Sequence, residues 1–320
     1  MSKQLQFELW QECNSKCKFC YLGAENLCTP TNLKVNACKN ALEKISDLSN
    51  YPTYDTLAYL GGEFFQGQLN NPEVKEVFME LMKKTADLLN AGYIEQVWIY
   101  ATLTIGDQKD LYDVLKIFDG HKGDLWILTS YDTMGRFHTK KMEDNWSYHM
   151  KNIHKLYPDI LFNITTILSE DCIDKYINNE LSFKKMMEEY HTTFFFKQCG
   201  APYGKAEMIQ QLDKFFPPRN KFLKFLTKFR QEESKVMWDK LFNIKYRADT
   251  LYRNGNDEEH QMMENIRHKN SNNEIELSDA NSPETAVGSC GHLMAYHAYS
   301  DCDGCVMCDK QMIEEMIDKD

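Results

Sequence analysis

Long apolar runs are missing from this 320-residue sequence, and so is a basic N-terminal region followed by a small-residue cleavage site. A membrane-spanning helix needs about 20 consecutive apolar residues, and a secretory signal needs the second feature. The sequence therefore predicts a cytoplasmic protein with no membrane partner. Internal repeats and low-complexity tracts are also missing, so the chain length predicts one large globular domain or two.

Basic residues are scarce, since 37 Lys and Arg stand against 48 Asp and Glu and the formal net charge is −11. Proteins that bind nucleic acid gather Lys and Arg on one face to contact phosphates. Residues 214–228 hold five basic residues with few acids, but a solvated helix face explains this segment as well. The charge balance therefore disfavours a nucleic-acid partner.

Eleven cysteines are many for a cytosolic protein, and seven of them fall in two short clusters, at 13–20 and 290–308. In a reducing compartment such clustering indicates metal ligation rather than disulfide cross-links. The other four cysteines are interpreted as packed or idle thiols: Cys28, Cys38, Cys172 and Cys199.

The first cluster contains Cys13, Cys17 and Cys20, in the spacing C-x₃-C-x₂-C, directly after an apolar-alternating segment at 5–10. No fourth cysteine follows at a matching short interval. A tetrahedral zinc or a fully protein-ligated iron–sulfur cube needs four ligands. Three thiolates favour a cluster with one metal position left for an exogenous ligand. The alternative is three ordinary buried thiols.

Phe19 stands directly before the third cysteine, and the whole motif resembles the signature of the radical S-adenosylmethionine (radical SAM) superfamily. The resemblance implies a [4Fe–4S] cluster held by Cys13, Cys17 and Cys20, with Phe19 among the cofactor-binding residues. It also implies that S-adenosylmethionine (SAM) chelates the remaining iron through its amino and carboxylate groups.

Gly61-Gly62-Glu63 ends the second strand that the sequence predicts. Glycines let a ligand approach the backbone, and a neighbouring carboxylate can accept hydrogen bonds from an ammonium group. A plain strand-to-loop turn is the alternative interpretation. The radical SAM resemblance implies that Gly61, Gly62 and Glu63 contact the methionine amino group of SAM.

Three further polar residues end or line the fourth and fifth predicted strands: Ser130, Asn163 and Thr165. Residues two apart on a strand share a face, so Asn163 and Thr165 are expected to point the same way, into the barrel. By the same resemblance, these groups contact the ribose and carboxylate of SAM. Hydrogen-bonded strand-end polar residues are the alternative.

Six apolar strands alternate with helices up to residue 198, which is typical of βαβ units and a parallel sheet. The runs are nearly continuous, as in strands covered on both faces. Periodicity does not separate a doubly wound sheet from a barrel. The resemblance implies an α/β fold with a partial (β/α)₆ barrel and chemistry at the C-terminal strand ends. The expected strands are 5–10, 56–60, 96–103, 125–130, 161–168 and 193–198, and the expected helices are 35–48, 72–90, 109–118, 145–156 and 171–190.

The pattern changes after about Pro202. Residues 213–268 are charged and helical in character, and residues 268–283 are rich in Asn, Ser and Glu. We therefore expect a barrel over 1–212, a helical insertion or linker over 213–283, and a small Cys-rich extension over 284–320.

The extension holds Cys290, Cys302, Cys305 and Cys308, in the spacing C-x₁₁-C-x₂-C-x₂-C, and four thiolates can close a metal site. The segment resembles the auxiliary-cluster extensions called Twitch and SPASM. The shorter Twitch-like form is preferred, because the full SPASM pattern uses more cysteines. This resemblance implies a second [4Fe–4S] cluster, and the alternative is a structural zinc with His292 or His297 as a ligand.

The resemblance as a whole implies an enzyme that reductively cleaves SAM to a 5′-deoxyadenosyl radical, which abstracts hydrogen from a substrate. The expected substrate is a peptide or protein side chain or a small molecule, and the expected partner is an external flavodoxin- or ferredoxin-like one-electron reductant. Two alternatives stay open. One is a radical SAM enzyme that modifies nucleotides or nucleic acid, and the other is a non-catalytic iron–sulfur electron-transfer protein.

Overall fold

The structure, a computed structural model, describes residues 4–10, 12–15, 17, 29–46, 48, 54–132, 136–197, 219–235, 237 and 250–253, and these residues fold around seven parallel strands. The strands are β1 Gln4–Glu8, β2 Thr56–Leu60, β3 Gln96–Tyr100, β4 Asp124–Tyr131, β5 Leu161–Ile167, β6 Thr192–Lys197 and β7 Thr250–Arg253. The helices are α1 Thr31–Ser46, α2 Pro72–Ala91, α3 Lys109–Ile117, α4 Lys140–Leu156, α5 Glu170–Ile177, α6 Phe183–Tyr190 and α7 Arg219–Glu232.

The strand order is β6-β5-β4-β3-β2-β1-β7, and every pair is parallel. A doubly wound sheet reverses its order at a switch point, whereas β1 to β6 follow one another without reversal. Right-handed crossovers between such neighbours place their helices on one face of the sheet. This arrangement is a partial (β/α)₆ barrel, so the predicted fold class is confirmed.

The two faces of β3 differ in how far their side chains are buried. In β3, Val97 and Ile99 are fully buried, whereas the alternating residues Gln96, Trp98 and Tyr100 are half-buried. Helices therefore cover the outer face, and the inner face is partly open. The expectation that both faces are covered is confirmed for β2, where Thr56 to Tyr59 are all buried, and is wrong for β3.

Local signals decide where several helices begin and end. Asn71 caps α2 by accepting from the N–H groups of Glu73 and Val74, and Gly92 ends the helix in the left-handed region. The helix predicted over 171–190 is two helices, α5 and α6, because the chain turns at Asn178–Ser182 and the Ser182 side chain caps α6. The predicted start of α4 was five residues late, since Thr139 caps it.

Helix α7 packs on α5 through two aromatic side chains. Phe225 and Phe229 are fully buried, and both rings contact Tyr176. Lys221 on the same helix pairs with Glu170 and Asp174 of α5. The basic segment is thus partly a packing surface rather than a solvated face.

Strand β7 lies in the segment that the sequence predicts to be helical, and it pairs with β1 over Thr250–Arg253. The predicted boundaries at 212 and 283, and the Cys-rich extension, lie outside the described residues. None of the described helices is both long and apolar enough to cross a membrane.

Candidate functional site

The first cysteine loop follows β1 and lies beside the chain that follows β2. Pairing between the two strands continues beyond their ends, because Gly62 N donates to Trp10 O at 2.9 Å and Glu63 N donates to Glu12 O at 2.8 Å. Cys13 comes directly after Glu12, so this pairing places the cysteine loop next to Glu63. The site therefore forms at the C-terminal edge of the sheet, where ligands of parallel α/β sheets bind.

Gly61 is required by this close approach. A Cβ atom at position 61 would overlap the carbonyl oxygen of Trp10. On the other side, the indole Nε1 of Trp10 donates to Glu63 O at 2.8 Å. The sequence predicted a glycine that admits a ligand, and the structure shows that the neighbouring backbone itself needs the space.

The Glu63 carboxylate is buried, with 3% of the residue exposed, and it accepts three backbone hydrogen bonds. Its Oε1 accepts from Phe64 N at 2.9 Å and Phe65 N at 3.0 Å, and its Oε2 accepts from Thr102 N at 2.6 Å. Burial raises the pKa of Glu63, and these hydrogen bonds oppose the rise. In the described part of the chain no Lys, Arg or His pairs with this carboxylate, so it has capacity for an ammonium group.

Cys13 and Cys17 are half-buried thiols that form no disulfide. Burial raises the pKa of Cys13, and the nearby Glu63 carboxylate and Cys17 thiol raise it further, while the N–H of Ser15 at 3.4 Å opposes this. Thiols so placed become thiolates only with a compensating cation, and a metal supplies one. Two free thiols in the loop that pairs with the chain at Glu63 are of the donor type that an iron–sulfur cluster uses.

Cys20 and Phe19, the other predicted members of this motif, lie outside the described residues, as do Cys290, Cys302, Cys305 and Cys308. Among the residues that are described, no group of three or more His, Cys, Asp or Glu side chains could hold a metal ion. The metal-ligand set therefore remains a prediction for all seven cysteines, Cys13 and Cys17 included.

Gln66 joins the cysteine loop to the ends of two strands. Its Nε2 lies 2.8 Å from Ser15 Oγ and 3.0 Å from the hydroxyls of both Thr102 and Thr104. Its Oε1 accepts from Asn14 N at 3.0 Å, and its carbonyl oxygen accepts from Asn14 Nδ2 at 3.0 Å. We call residues 12–15, 61–66 and 101–104 the rim.

Two basic side chains, Lys34 and His138, contact residues of the rim. Lys34 of α1 forms an ion pair with Glu12 at 2.5 Å, and its ammonium lies 5.9 Å from the centre of the Trp10 ring. His138 Nε2 lies 2.6 Å from Ser15 O. Because a carbonyl only accepts, Nε2 of His138 carries the proton.

The polar residues predicted on β4 and β5 lie on the inner face. Ser130 and Thr165 are direct partners in the β4–β5 register, and Asn163 is two residues before Thr165. Asn163 is 2% exposed and donates to Thr193 Oγ1 at 2.7 Å, whereas its Oδ1 has no partner. An orphaned buried oxygen on this face fits a bound polar ligand; the SAM contacts of these three residues remain predictions.

Sequence reasoning missed Gln66, Thr102, Thr104 and Lys34. Gln66 follows Glu63 by three residues, and no motif marks it. Only its place in the loop after β2 could have drawn attention to it. His138, in the loop before α4, contacts the carbonyl oxygen of Ser15 in the cysteine loop.

No protein-family model matches the chain, and no curated protein matches it in sequence. Among solved structures, a histidine-tagged form of anSMEcpe with bound AdoMet matches with a TM-score of 0.44, and native anSMEcpe with bound AdoMet with a TM-score of 0.45. Both are 16% identical, and each match covers 72% of this chain but only 59% or 60% of the solved chain. Likeness at this level assigns no reaction.

The chain's own features agree with the radical SAM resemblance. The cysteine loop follows β1 and Gly61–Glu63 follow β2, as that resemblance implies.

Proposed function

We propose that this chain is a radical SAM enzyme. The observation that supports it best is the pairing of two motifs that are 50 residues apart in sequence, since Glu63 N donates to O of Glu12, the residue directly before Cys13, at 2.8 Å. When bound, a reduced [4Fe–4S] cluster and SAM would supply a 5′-deoxyadenosyl radical that abstracts hydrogen from a substrate carbon.

The protein's own groups would hold and orient these cofactors. Cys13, Cys17 and, by the sequence motif, Cys20 would ligate the cluster. The Glu63 carboxylate would accept hydrogen bonds from the ammonium of the methionine moiety, since its remaining acceptor capacity and uncompensated charge suit a cation. Ser130, Asn163 and Thr165 offer polar atoms on the inner face beyond it.

The substrate would enter the partly open interior of the barrel. Three aromatic side chains on the inner face are half-buried: Trp98, Tyr100 and Trp126. Such a wall suits a peptide or protein side chain or a small molecule, and it would limit the access of water to the reacting atoms. The electron would come from an external flavodoxin- or ferredoxin-like reductant, and a cytoplasmic location would provide one.

The C-terminal cysteines would hold a second [4Fe–4S] cluster, as in Twitch-like extensions, with zinc as the alternative. The support is their spacing alone, C-x₁₁-C-x₂-C-x₂-C. Iron and zinc analysis of a Cys302/Cys305/Cys308→Ala variant separates the two metals, because only one of them would fall.

One observation weighs against nucleic acid as the substrate. In the described part of the basic segment, Lys221 pairs with two acids of α5, and Lys228 donates to Ile177 O and Asn179 Oδ1. Two of the five basic residues of segment 214–228 are therefore engaged in contacts within the fold. Retention on RNA or DNA at low salt would favour a nucleic-acid substrate, and absence of retention would count against it.

Anaerobic reconstitution with iron and sulfide tests the proposal. The wild type should take up a [4Fe–4S] cluster and release 5′-deoxyadenosine from SAM under a strong reductant. A Cys13/Cys17/Cys20→Ala variant should lose one cluster and all of this product. A cluster without SAM cleavage would indicate an electron-transfer protein, and no cluster at these cysteines would refute the proposal.

A further inference from the structure

We propose that Gln66 is a positioning residue, which fixes the cysteine loop against the ends of β2 and β3 before any metal binds. This inference rests on the proposed function, in which the loop after β1 holds the iron–sulfur cluster. The role is distinct from ligation, because Gln66 contacts the loop backbone and hydroxyls rather than a cysteine sulfur.

The orientation of the Gln66 amide is determined by its partners. Asn14 N can only donate, so the atom that it contacts at 3.0 Å must be the carbonyl oxygen Oε1. The amide nitrogen then faces the three hydroxyls of Ser15, Thr102 and Thr104. An amide group supplies both the acceptor and the donors that this position requires, and Gln66 is only 8% exposed.

The contacts of Gln66 join three separate loops. Asn14 and Ser15 belong to the loop after β1, Gln66 to the loop after β2, and Thr102 and Thr104 to the segment after β3. Thr102 is shared, because its N–H donates to Glu63 Oε2 and its hydroxyl contacts Gln66. The spacing between the cysteine loop and Glu63 is therefore set by protein hydrogen bonds.

His138 holds the opposite side of the same loop. Its Nε2 donates to Ser15 O, while the Ser15 hydroxyl contacts Gln66 Nε2. Ser15 is consequently held through both its backbone and its side chain. A loop held in this way would present Cys13 and Cys17 in one arrangement, which lowers the ordering cost of metal binding.

Hydrogen exchange in the metal-free protein tests the positioning role directly. Gln66→Met keeps the side-chain length and removes the acceptor for Asn14 N and the two amide hydrogens that face three hydroxyls. The amides of residues 12–17 should then exchange about five- to tenfold faster, as expected for the loss of about one net hydrogen bond. Gln66→Glu keeps an acceptor for Asn14 N, and the hydroxyls can rotate to donate to it. It should restore much of the protection.

Thr85→Val is the matched control, because it removes buried hydrogen bonds to Tyr59 OH and Leu81 O on the helix-covered side of the sheet. It should leave exchange at residues 12–17 unchanged. Asn14→Ala is a second variant at an exposed position, which keeps the test valid if Gln66→Met does not fold. It loses the bond to Gln66 O and should also speed exchange in the loop.

Anaerobic iron uptake and the electron paramagnetic resonance spectrum of the reduced protein provide the second measurement. Gln66→Met should take up less iron per chain at this site than Thr85→Val, or show a broadened spectrum. Wild-type exchange and wild-type iron uptake in both Gln66→Met and Asn14→Ala would overturn the proposal. If the wild type takes up no iron, the proposed function fails, and the exchange measurement still decides the role of Gln66.

Discussion

Parts of the helix-covered outer layer and of the rim are buried to a similar degree but are held by different interactions. In the outer layer, Phe78 and Val77 of α2 are 0% and 9% exposed, and in the rim Glu63 and Gln66 are 3% and 8% exposed. Apolar packing holds the first region, whereas directional hydrogen bonds hold the second. The comparison indicates that burial stabilises the barrel, while polar contacts fix the geometry at its mouth.

The largest effect is expected from Phe78→Ala in the outer layer. The Phe78 ring contacts Trp10, Phe64 and Phe65, so its removal leaves a cavity behind the rim. We expect the free energy of unfolding to fall by about 3–5 kcal/mol. Urea unfolding of the metal-free protein measures this change, and a loss below about 1 kcal/mol would show that the two regions are not coupled through this ring.

Gly61→Ala should have the next largest effect, because it disrupts the close contact between Gly61 of the rim and the backbone of Trp10. The added methyl group overlaps the Trp10 carbonyl, and we expect a loss of about 1–3 kcal/mol in the free energy of unfolding. Gly92→Ala is the control, since nothing lies near its Cβ position and only its positive φ is strained. Equal losses in the two variants would contradict a steric role for Gly61.

Glu63→Gln should affect binding more than stability. The variant loses one acceptor for a backbone N–H but also loses an uncompensated buried charge, so the free energy of unfolding should change by less than about 1 kcal/mol. SAM binding to the reconstituted protein should weaken by about tenfold or more, because the ammonium loses its carboxylate. Equilibrium dialysis measures the affinity, with Glu73→Gln at an exposed position of α2 as the control.

The smallest effect is expected from His149, a buried polar residue of α4 in the otherwise apolar outer layer. His149 Nε2 lies 3.0 Å from Ile105 O, and its Nδ1 lies 3.1 Å from Tyr112 OH. Burial lowers the pKa of His149 from its ordinary value of 6.5. The unfolded chain thus binds the proton more readily, and stability should fall as the pH drops below about 6.5.

Comparison of wild type with His149→Gln isolates this contribution from other titrating groups. The difference in their urea midpoints should shrink between pH 7 and pH 5, by the equivalent of about 1 kcal/mol or less. A difference that does not vary with pH would show that His149 keeps its ordinary pKa in the folded protein.

The strands and most helices of the outer layer could be predicted from the sequence, whereas in the rim only the residues that stand in motifs could. Val97 and Ile99 lie in a short, nearly continuous apolar run, so their strand follows from a pattern that is local in the sequence. The partners of Gln66 lie at 14–15 and 102–104, and such contacts depend on the exact approach of three loops. Glu63 was found because it stands in a motif, whereas Gln66 stands in none.

Strand β7 has a consequence for how the chain is made. It covers the edge of β1 with residues 250–253, more than 240 residues after β1 has been synthesised. At about 5–20 residues per second, roughly 10 to 50 s pass on the ribosome before that edge can be closed. During this interval the edge of β1 that will pair with β7 is unpaired in the nascent chain. We therefore expect the chain to depend more strongly on chaperones when translation slows before codon 250.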